Sequence, residues 1–404
     1  MLRFVTAREI GSILPSYLVK VETTRRIFSV ELSTHFDVQK IHDAAINSLD
    51  IDLVEDRYLL SGAGNGTIVI HDLHNITGLP HCTYPEVCHV GRGNRNRHKY
   101  SVETVQWYPL DTGMFVSSGM DKLLKVWDTN TMRTADEFEF SAGIYTHHMS
   151  STATQHCLVA VATGSSKVKL LDLKSGSATH TLRGHRQTVF SAMWSTRDEF
   201  ILATGSRDSK VMLWDVRCAK GAMMVLDQHN GDTSAGSNSV NTAHSGHVNG
   251  VCFTPDGLHV VTFGTDHTLR IWSTATGQNT MVNFGRVTNE SKRSVKMTIS
   301  GGSKPQLVFV PSVSDILIYD LVSGTKVSTL RGHYNQVNCC TFHRAYHDLY
   351  SCGNDRNILI WKPLLDTTLA YDEFLHNGSK SKEDRTNSFV RRIGTADSWS
   401  SDED

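Results

Sequence analysis

Seven short apolar strands in this chain each close on a two-residue mark, and the marks recur at a near-constant interval. They are His71-Asp72, Trp127-Asp128, Leu171-Asp172, Trp214-Asp215, Trp272-Ser273, Tyr319-Asp320 and Trp361-Lys362. Successive intervals are 56, 44, 43, 58, 47 and 42 residues. A self-similar period of this size means copies of one small unit stacked on each other, because one copy alone cannot bury its apolar face. The two long intervals carry visible insertions, one around Pro80–His98 and one in the Gly/Ser/Asn-rich stretch Gly231–Ser245. A closed ring of repeats counts as one domain. That overrides the two or three domains that a length of 404 residues would suggest.

A second mark sets the register. Gly184-His185, Gly246-His247 and Gly332-His333 each open a repeat, and each is followed by an Asp (Asp208, Asp266, Asp355) six residues before the Trp (Trp214, Trp272, Trp361). His98, Asp121 and Trp127 repeat the pattern without the Gly, and His42, Asn65 and His71 form a weaker copy. The third and sixth repeats keep only their strands, so they are expected to be softer. Between the marks the strands alternate in the two-residue period of a β-strand, as in Lys210–Trp214. These marks resemble the WD40 family. The resemblance implies an all-β, seven-bladed WD40 β-propeller with a short N-terminal helical arm and a disordered acidic C-terminal tail. In that family His, Asp, a Ser or Thr and Trp hydrogen-bond across a blade and lock its turns. Five copies of one constellation argue for scaffold, where an active site would need one copy.

The expected divisions are an arm over residues 1–26, the propeller over 27–363 and a polar tail over 364–404. Thr6–Leu14 and Ser16–Thr24 read as two helical pieces separated by Pro15, a residue favoured at helix starts. Ile10, Leu14, Leu18 and Val21 are their notable apolar residues. Phe28, Val30 and Leu32 alternate with polar residues, so a strand is expected there, completing the last blade and closing the ring. The helical pieces then either fold back on the propeller or dock into a partner. The tail has few apolar residues and several charges, a composition that points to disorder. Ser400 and Ser401 each have an acidic residue three positions on, the context of an acidophilic kinase site, though an unmodified solvating tail reads equally well.

Other features exclude more than they suggest. With 40 Lys+Arg against 41 Asp+Glu, the net charge of −1 supplies no global field to hold a nucleic acid or an anionic membrane. No direct sequence-specific DNA binding and no membrane association are expected. The start of the chain is interrupted by Arg3, Arg8 and Glu9, so no secretory leader is expected, and no run approaches the roughly 20 apolar residues of a membrane span. Eight cysteines without a C-x-x-C pair suit a reducing compartment. His81, Cys82, Cys88 and His89 are adjacent within each pair and so point to opposite strand faces, which argues against zinc. Gly62–Gly66 reads as a turn between strands, since it lacks the dinucleotide-binding spacing. Arg92, Arg95, Arg97 and Lys99 form a basic loop between the first and second blades, either simply solvated or a patch for an acidic partner. No catalytic triad, paired-carboxylate pocket, metal site or phosphate loop stands out. A non-catalytic, cofactor-free protein is expected.

Several segments also resemble one particular propeller family, that of the Cockayne syndrome group A proteins. These are Tyr100–Pro109 (YSVETVQWYP), Asp121–Asn130 (DKLLKVWDTN), His180–Gln187 (HTLRGHRQ), Ile201–Thr204 (ILAT), Leu226–Asn230 (LDQHN), Glu22–Arg26 (ETTRR) and the Ser/Asp/Glu ending of the tail. The resemblance implies a nuclear, non-catalytic substrate receptor of a cullin-RING ubiquitin ligase in transcription-coupled nucleotide excision repair. The implied partners are the ligase adaptor (the large subunit of the UV-damaged-DNA-binding complex) and through it the cullin and RING subunits. The Cockayne syndrome group B translocase, the UV-stimulated scaffold protein and RNA polymerase II are implied too. In related receptors a W-D-x-R blade ending contributes to adaptor docking. Trp214–Arg217 matches it, and Trp127–Asn130 departs from it at the Arg. The implied adaptor site is therefore Ile10, Leu14, Leu18, Val21 and Arg217. The alternative is a generic WD40 scaffold of another nuclear complex.

Overall fold

The computed structural model describes residues 6, 9–11, 14–78, 81–218, 221–232 and 242–364. The expected tail and its Ser400 and Ser401 lie outside the described residues, as do residues 233–241 of the Gly/Ser/Asn-rich stretch.

Each repeat folds as an antiparallel meander, and seven such sheets follow one another along the chain. The second blade shows the pattern, with strands Val102–Trp107, Met114–Gly119, Leu123–Asp128 and Arg133–Glu139. The recurrent marks end the third strand of each blade. The fifth blade has three strands among the described residues, Val248–Phe253, His259–Gly264 and Leu269–Ser273. The seventh takes its outer strand from the start of the chain. Val30–Leu32 pairs with Ile358–Pro363, with Val30 opposite Pro363 and Leu32 opposite Trp361. The expected closing strand is therefore present, shorter at its start because Phe28 belongs to the preceding helix.

Apolar burial follows the ring. Each hydrophobic cluster joins one pair of neighbouring blades. Leu170 of the third blade packs with Trp194, Leu202 and Trp214 of the fourth, and Phe309 and Ile318 of the sixth pack with Phe342 and Leu349 of the seventh. No blade owns a core, so no blade is stable without its neighbours.

Within four blades a buried chain of hydrogen bonds ties the third strand to the turns. In the second, Trp127 Nε1 donates to Ser117 Oγ at 2.7 Å, Ser117 Oγ lies 2.7 Å from His98 Nε2, and His98 Nδ1 lies 2.9 Å from the Asp121 carboxylate. The arrangement assigns the tautomer. Nδ1–H donates to Asp121, and Nε2 accepts from the hydroxyl. Asp121 also accepts the backbone N–H of Lys99 at 3.1 Å. The same path runs through Trp214, Thr204, His185 and Asp208 and through Trp361, Ser351, His333 and Asp355.

The fifth blade corrects the sequence reading. The imidazole in its chain belongs to His244, with Nε2 2.8 Å from Thr262 Oγ1 and Nδ1 3.0 Å from Asp266. His247 is displaced outward, its ring nitrogen bonding the Arg207 carbonyl at 2.8 Å. The reason is a matter of strand geometry. His and Asp are separated by 22 or 23 positions in every complete set, which His244 satisfies and His247 does not. In the first blade His42 contacts Ser61 and Thr67, Asn65 accepts from Thr67, and His71 stands where the others have Trp.

Each chain leaves its polar atoms fully bonded inside an apolar sheet, and removing one member strands the others. His244→Ala is expected to cost about 1–3 kcal/mol. His247→Ala is expected to stay within about 0.5 kcal/mol. Urea-denaturation midpoints of the two variants check the reassignment; equal losses would contradict it.

Candidate docking site

An antiparallel meander places its first-to-second and third-to-fourth connections at one end of the ring. The second-to-third turns and the blade-to-blade connections lie at the other. Arg217 follows the third strand of the fourth blade, so it lies at the first of these ends. Its guanidinium grips Asp215 with a two-pronged contact, Nε at 2.9 Å and Nη2 at 2.7 Å, and its backbone N–H reaches the same carboxylate at 3.0 Å. That grip holds the Asp215 carboxyl below the usual range. The guanidinium carbon stands 4.5 Å from the centre of the Phe200 ring. The side chain stays 57% exposed. Arg217 is therefore held in one orientation before any partner arrives, which reduces the ordering cost of an Arg contact.

Beside it is a hollow of about 820 Å³ spanning the third, fourth and fifth blades, lined by Arg197, Glu199, Phe200, Arg217, Leu258 and His259 among others. Glu199 takes the backbone N–H groups of Thr154 and Gln155 at 2.6 and 3.2 Å, tying the third blade's loop to the fourth's. Phe200 and Glu199 carry no signal in a single sequence, since both read as ordinary loop residues.

The arm reaches the same end. One helix, Pro15–Phe28, carries Pro15 at its first position and continues past the expected stop at Thr24. Its last turns are seated. Ile27 is fully buried in the cluster formed by the sixth and seventh blades. Thr23 is buried, and the Thr24 hydroxyl accepts from the backbone N–H of Lys304, in the first-to-second connection of the sixth blade. Glu22 pairs with Arg25 at 2.9 Å and Arg26 at 3.0 Å, which, with Arg25 foremost, pulls its carboxyl down to about 2. The other half faces out. Leu14 is 71% exposed, Tyr17, Val19 and Val21 are exposed, and Leu18 is half-buried. Ile10, 80% exposed, lies in the first expected piece, of which little falls within the described residues. Helices normally turn such residues inward, so this helix has an apolar surface its own ring does not cover.

Arg92, Arg95 and Arg97 sit at the opposite end, in the connection between the first two blades, with Arg92 3.4 Å from Asp43. Cys82 is buried in a short strand parallel to Phe36–Val38, whereas His81 and His89 are exposed. Among the described residues no His, Cys, Asp and Glu group has the proximity a metal requires.

The WD domain, G-beta repeat family matches residues 93–128, 176–215, 237–273 and 324–362. WD repeat-containing protein ATCSA-1 of Arabidopsis thaliana is 33% identical across 88% of this chain and 94% of its own length. This chain belongs to the CSA family of WD-repeat proteins. The ribosome biogenesis protein WDR12 homologs of Drosophila willistoni and Drosophila persimilis are 27% and 29% identical, each over about a third of the chain. The WDR12 matches cover only part of each chain, whereas the ATCSA-1 match extends over nearly the whole chain. The matched families are of scaffold type and indicate no enzymatic activity.

Burial also sets how this protein responds to acid. It lowers His42 to about 3 and His71 and His148 to about 4. A His depressed in the folded state stabilises fully above its unfolded value near 6.5, and that contribution is lost as pH falls. Asp50, raised to about 7 by burial, works in the opposite sense, as do Glu103 and Asp348, which burial also raises. The histidines outnumber these carboxylates, and His147, His244 and His333 shift in the same downward direction. The melting temperature is expected to fall steadily between pH 6.5 and pH 4.5, read by thermal circular dichroism. A flat profile would contradict the buried neutral imidazoles.

Proposed function

We propose that this protein is the substrate-receptor subunit of a cullin-RING ubiquitin ligase that acts in transcription-coupled nucleotide excision repair in the nucleus. The observation that carries the reading is the arm, an anchored helix with an uncovered apolar half, set at the same end of the ring as the pre-oriented Arg217. Together they form a docking site suited to the ligase adaptor, the large subunit of the UV-damaged-DNA-binding complex, which brings the cullin and RING subunits. Kinship with ATCSA-1 over nearly the full chain supports the same reading. The opposite end is then free for the Cockayne syndrome group B translocase, the UV-stimulated scaffold protein and stalled RNA polymerase II. Such a receptor needs no chemistry of its own. It raises the effective concentration of a substrate lysine at the ubiquitin-charged arm of the ligase.

Deleting residues 1–21 leaves Thr23 and Ile27 in place and is expected to abolish co-purification with the adaptor while the ring stays folded. Arg217→Ala is expected to weaken adaptor affinity roughly tenfold or more, as hot-spot arginines do, with little change in melting temperature. A truncated protein that still co-purifies stoichiometrically with the adaptor would remove the arm as the anchor, and a full-length chain that does not co-purify with the adaptor would leave only a generic WD40 scaffold.

A further inference from the structure

A net charge of −1 conceals an uneven distribution. The His–Asp end of the ring is basic, and the hydrogen-bond chains are the reason. Asp121, Asp208, Asp266 and Asp355 turn inward onto His98, His185, His244 and His333, so their charge is spent beneath the surface. The residues beside them project outward and are often cationic. Lys99 and Arg186 follow the histidines, and Lys122 and Arg356 follow the aspartates. Each of these four side chains is exposed. The exposed carboxylates in these turns and connections, among the described residues, are Asp37, Asp43, Asp232 and Glu290, and Asp43 is paired with Arg92.

Lys122 and Arg356 also occupy a left-handed backbone conformation. Their φ values are 67° and 65°, at the turn position that Gly66 fills in the first blade with φ 85°. Ser209 and His267 hold the same position in the fourth and fifth blades, at φ 66° and 61°, so the left-handed conformation belongs to the turn itself, and Lys122 and Arg356 project from its tip. Aromatic rings lie among the cations. Tyr100 follows Lys99 and is 65% exposed, and Tyr334 follows His333 and is 90% exposed.

We propose that this end of the propeller binds a short acidic protein segment carrying apolar side chains, its carboxylates on the Lys and Arg forks and its apolar groups on Tyr100 and Tyr334. The proposal rests on the reading that this end receives substrates and repair partners, and it names their recognition chemistry. A nucleic acid fits less well. The cations project from separate blades around a ring and form no track for a continuous backbone, and the net charge gives no long-range attraction for a polyanion. A short acidic segment responds only to the local field, within about a Debye length.

The test is fluorescence anisotropy with three labelled probes, namely a twelve-residue peptide alternating Glu and Leu, its Gln-for-Glu counterpart, and a twelve-nucleotide oligothymidylate. The full chain carrying Lys99→Gln, Lys122→Gln, Arg186→Gln and Arg356→Gln is compared with a control of equal net charge. That control carries Arg133→Gln, Lys174→Gln, Lys326→Gln and Arg344→Gln, exposed residues at the other end. Melting temperatures establish that both are folded. The wild type and the control are expected to bind the Glu peptide, more weakly as salt rises, and the rim variant at least tenfold more weakly; the Gln peptide should not bind. Absence of Glu-peptide binding, equal loss in both variants, or equal or tighter binding of the oligothymidylate through the same residues would overturn the proposal. Adaptor co-purification of the rim variant is read in parallel. Its loss from the wild type would sink the ligase reading and leave the peptide result standing.

Discussion

The structure depends on one buried interaction, the relay from a Trp indole through a hydroxyl to an imidazole and on to a carboxylate. Each blade of this ring is a narrow sheet of short strands, and such sheets have little to fix their register beyond side-chain packing. The relay crosses the blade from its third strand to its second and then to the two turns at one end. The Trp-to-hydroxyl separation is ten positions in all four complete sets, and the indole fills the interface with the preceding blade. One set of four side chains therefore fixes register, turn geometry and blade packing together. Blades that lack it lean on their neighbours, and a closed ring can carry three of them.

The same relay divides the surface into two kinds of end. Where its His and Asp sit, the loops are pinned from below and the outward positions are free to vary in charge. At the other end the connections are held by local pairs such as Arg217 with Asp215 and by contacts between loops of adjacent blades, such as Glu199 with Thr154. The arm helix is seated at that second end by Ile27 and Thr23 and leaves the rest of its apolar residues uncovered. Binding at one end of the ring thus leaves the surface of the other end free.

The ring was legible because four of its repeats are written in residues that are hard to exchange. A buried Trp, and a buried Asp six positions before it, have few substitutes, so their spacing survives in a single sequence. The closing strand was legible for the same reason, through the alternation of Val30 and Leu32. The mistake at His247 came from weighting the Gly-His pair over the span from His to Asp. That span is set by strand length and is the stricter constraint, and His244 meets it. The helix end was misjudged because Phe28 fits either period, and only the burial of Ile27 decides between them. The hollow at Arg217 was only half legible. An Arg two positions after an Asp announces a local pair, but Phe200 and Glu199 arrive from a loop whose position depends on the whole ring.

The closure between Val30–Leu32 and Ile358–Pro363 has a consequence for how the molecule is made. The two segments lie about 330 positions apart, a separation that makes their pairing intrinsically slow and late. On the ribosome the arm emerges before the blades, and the strand it leads into has no partner until the last blade has been synthesised. Until then the chain is an open arc with an unpaired edge at each tip and an apolar helix beside one of them, the kind of surface that chaperones hold. A lesion near residue 360 therefore removes more than one blade's worth of structure. It leaves the arc unable to shut, with the arm attached to a protein that never completes its fold.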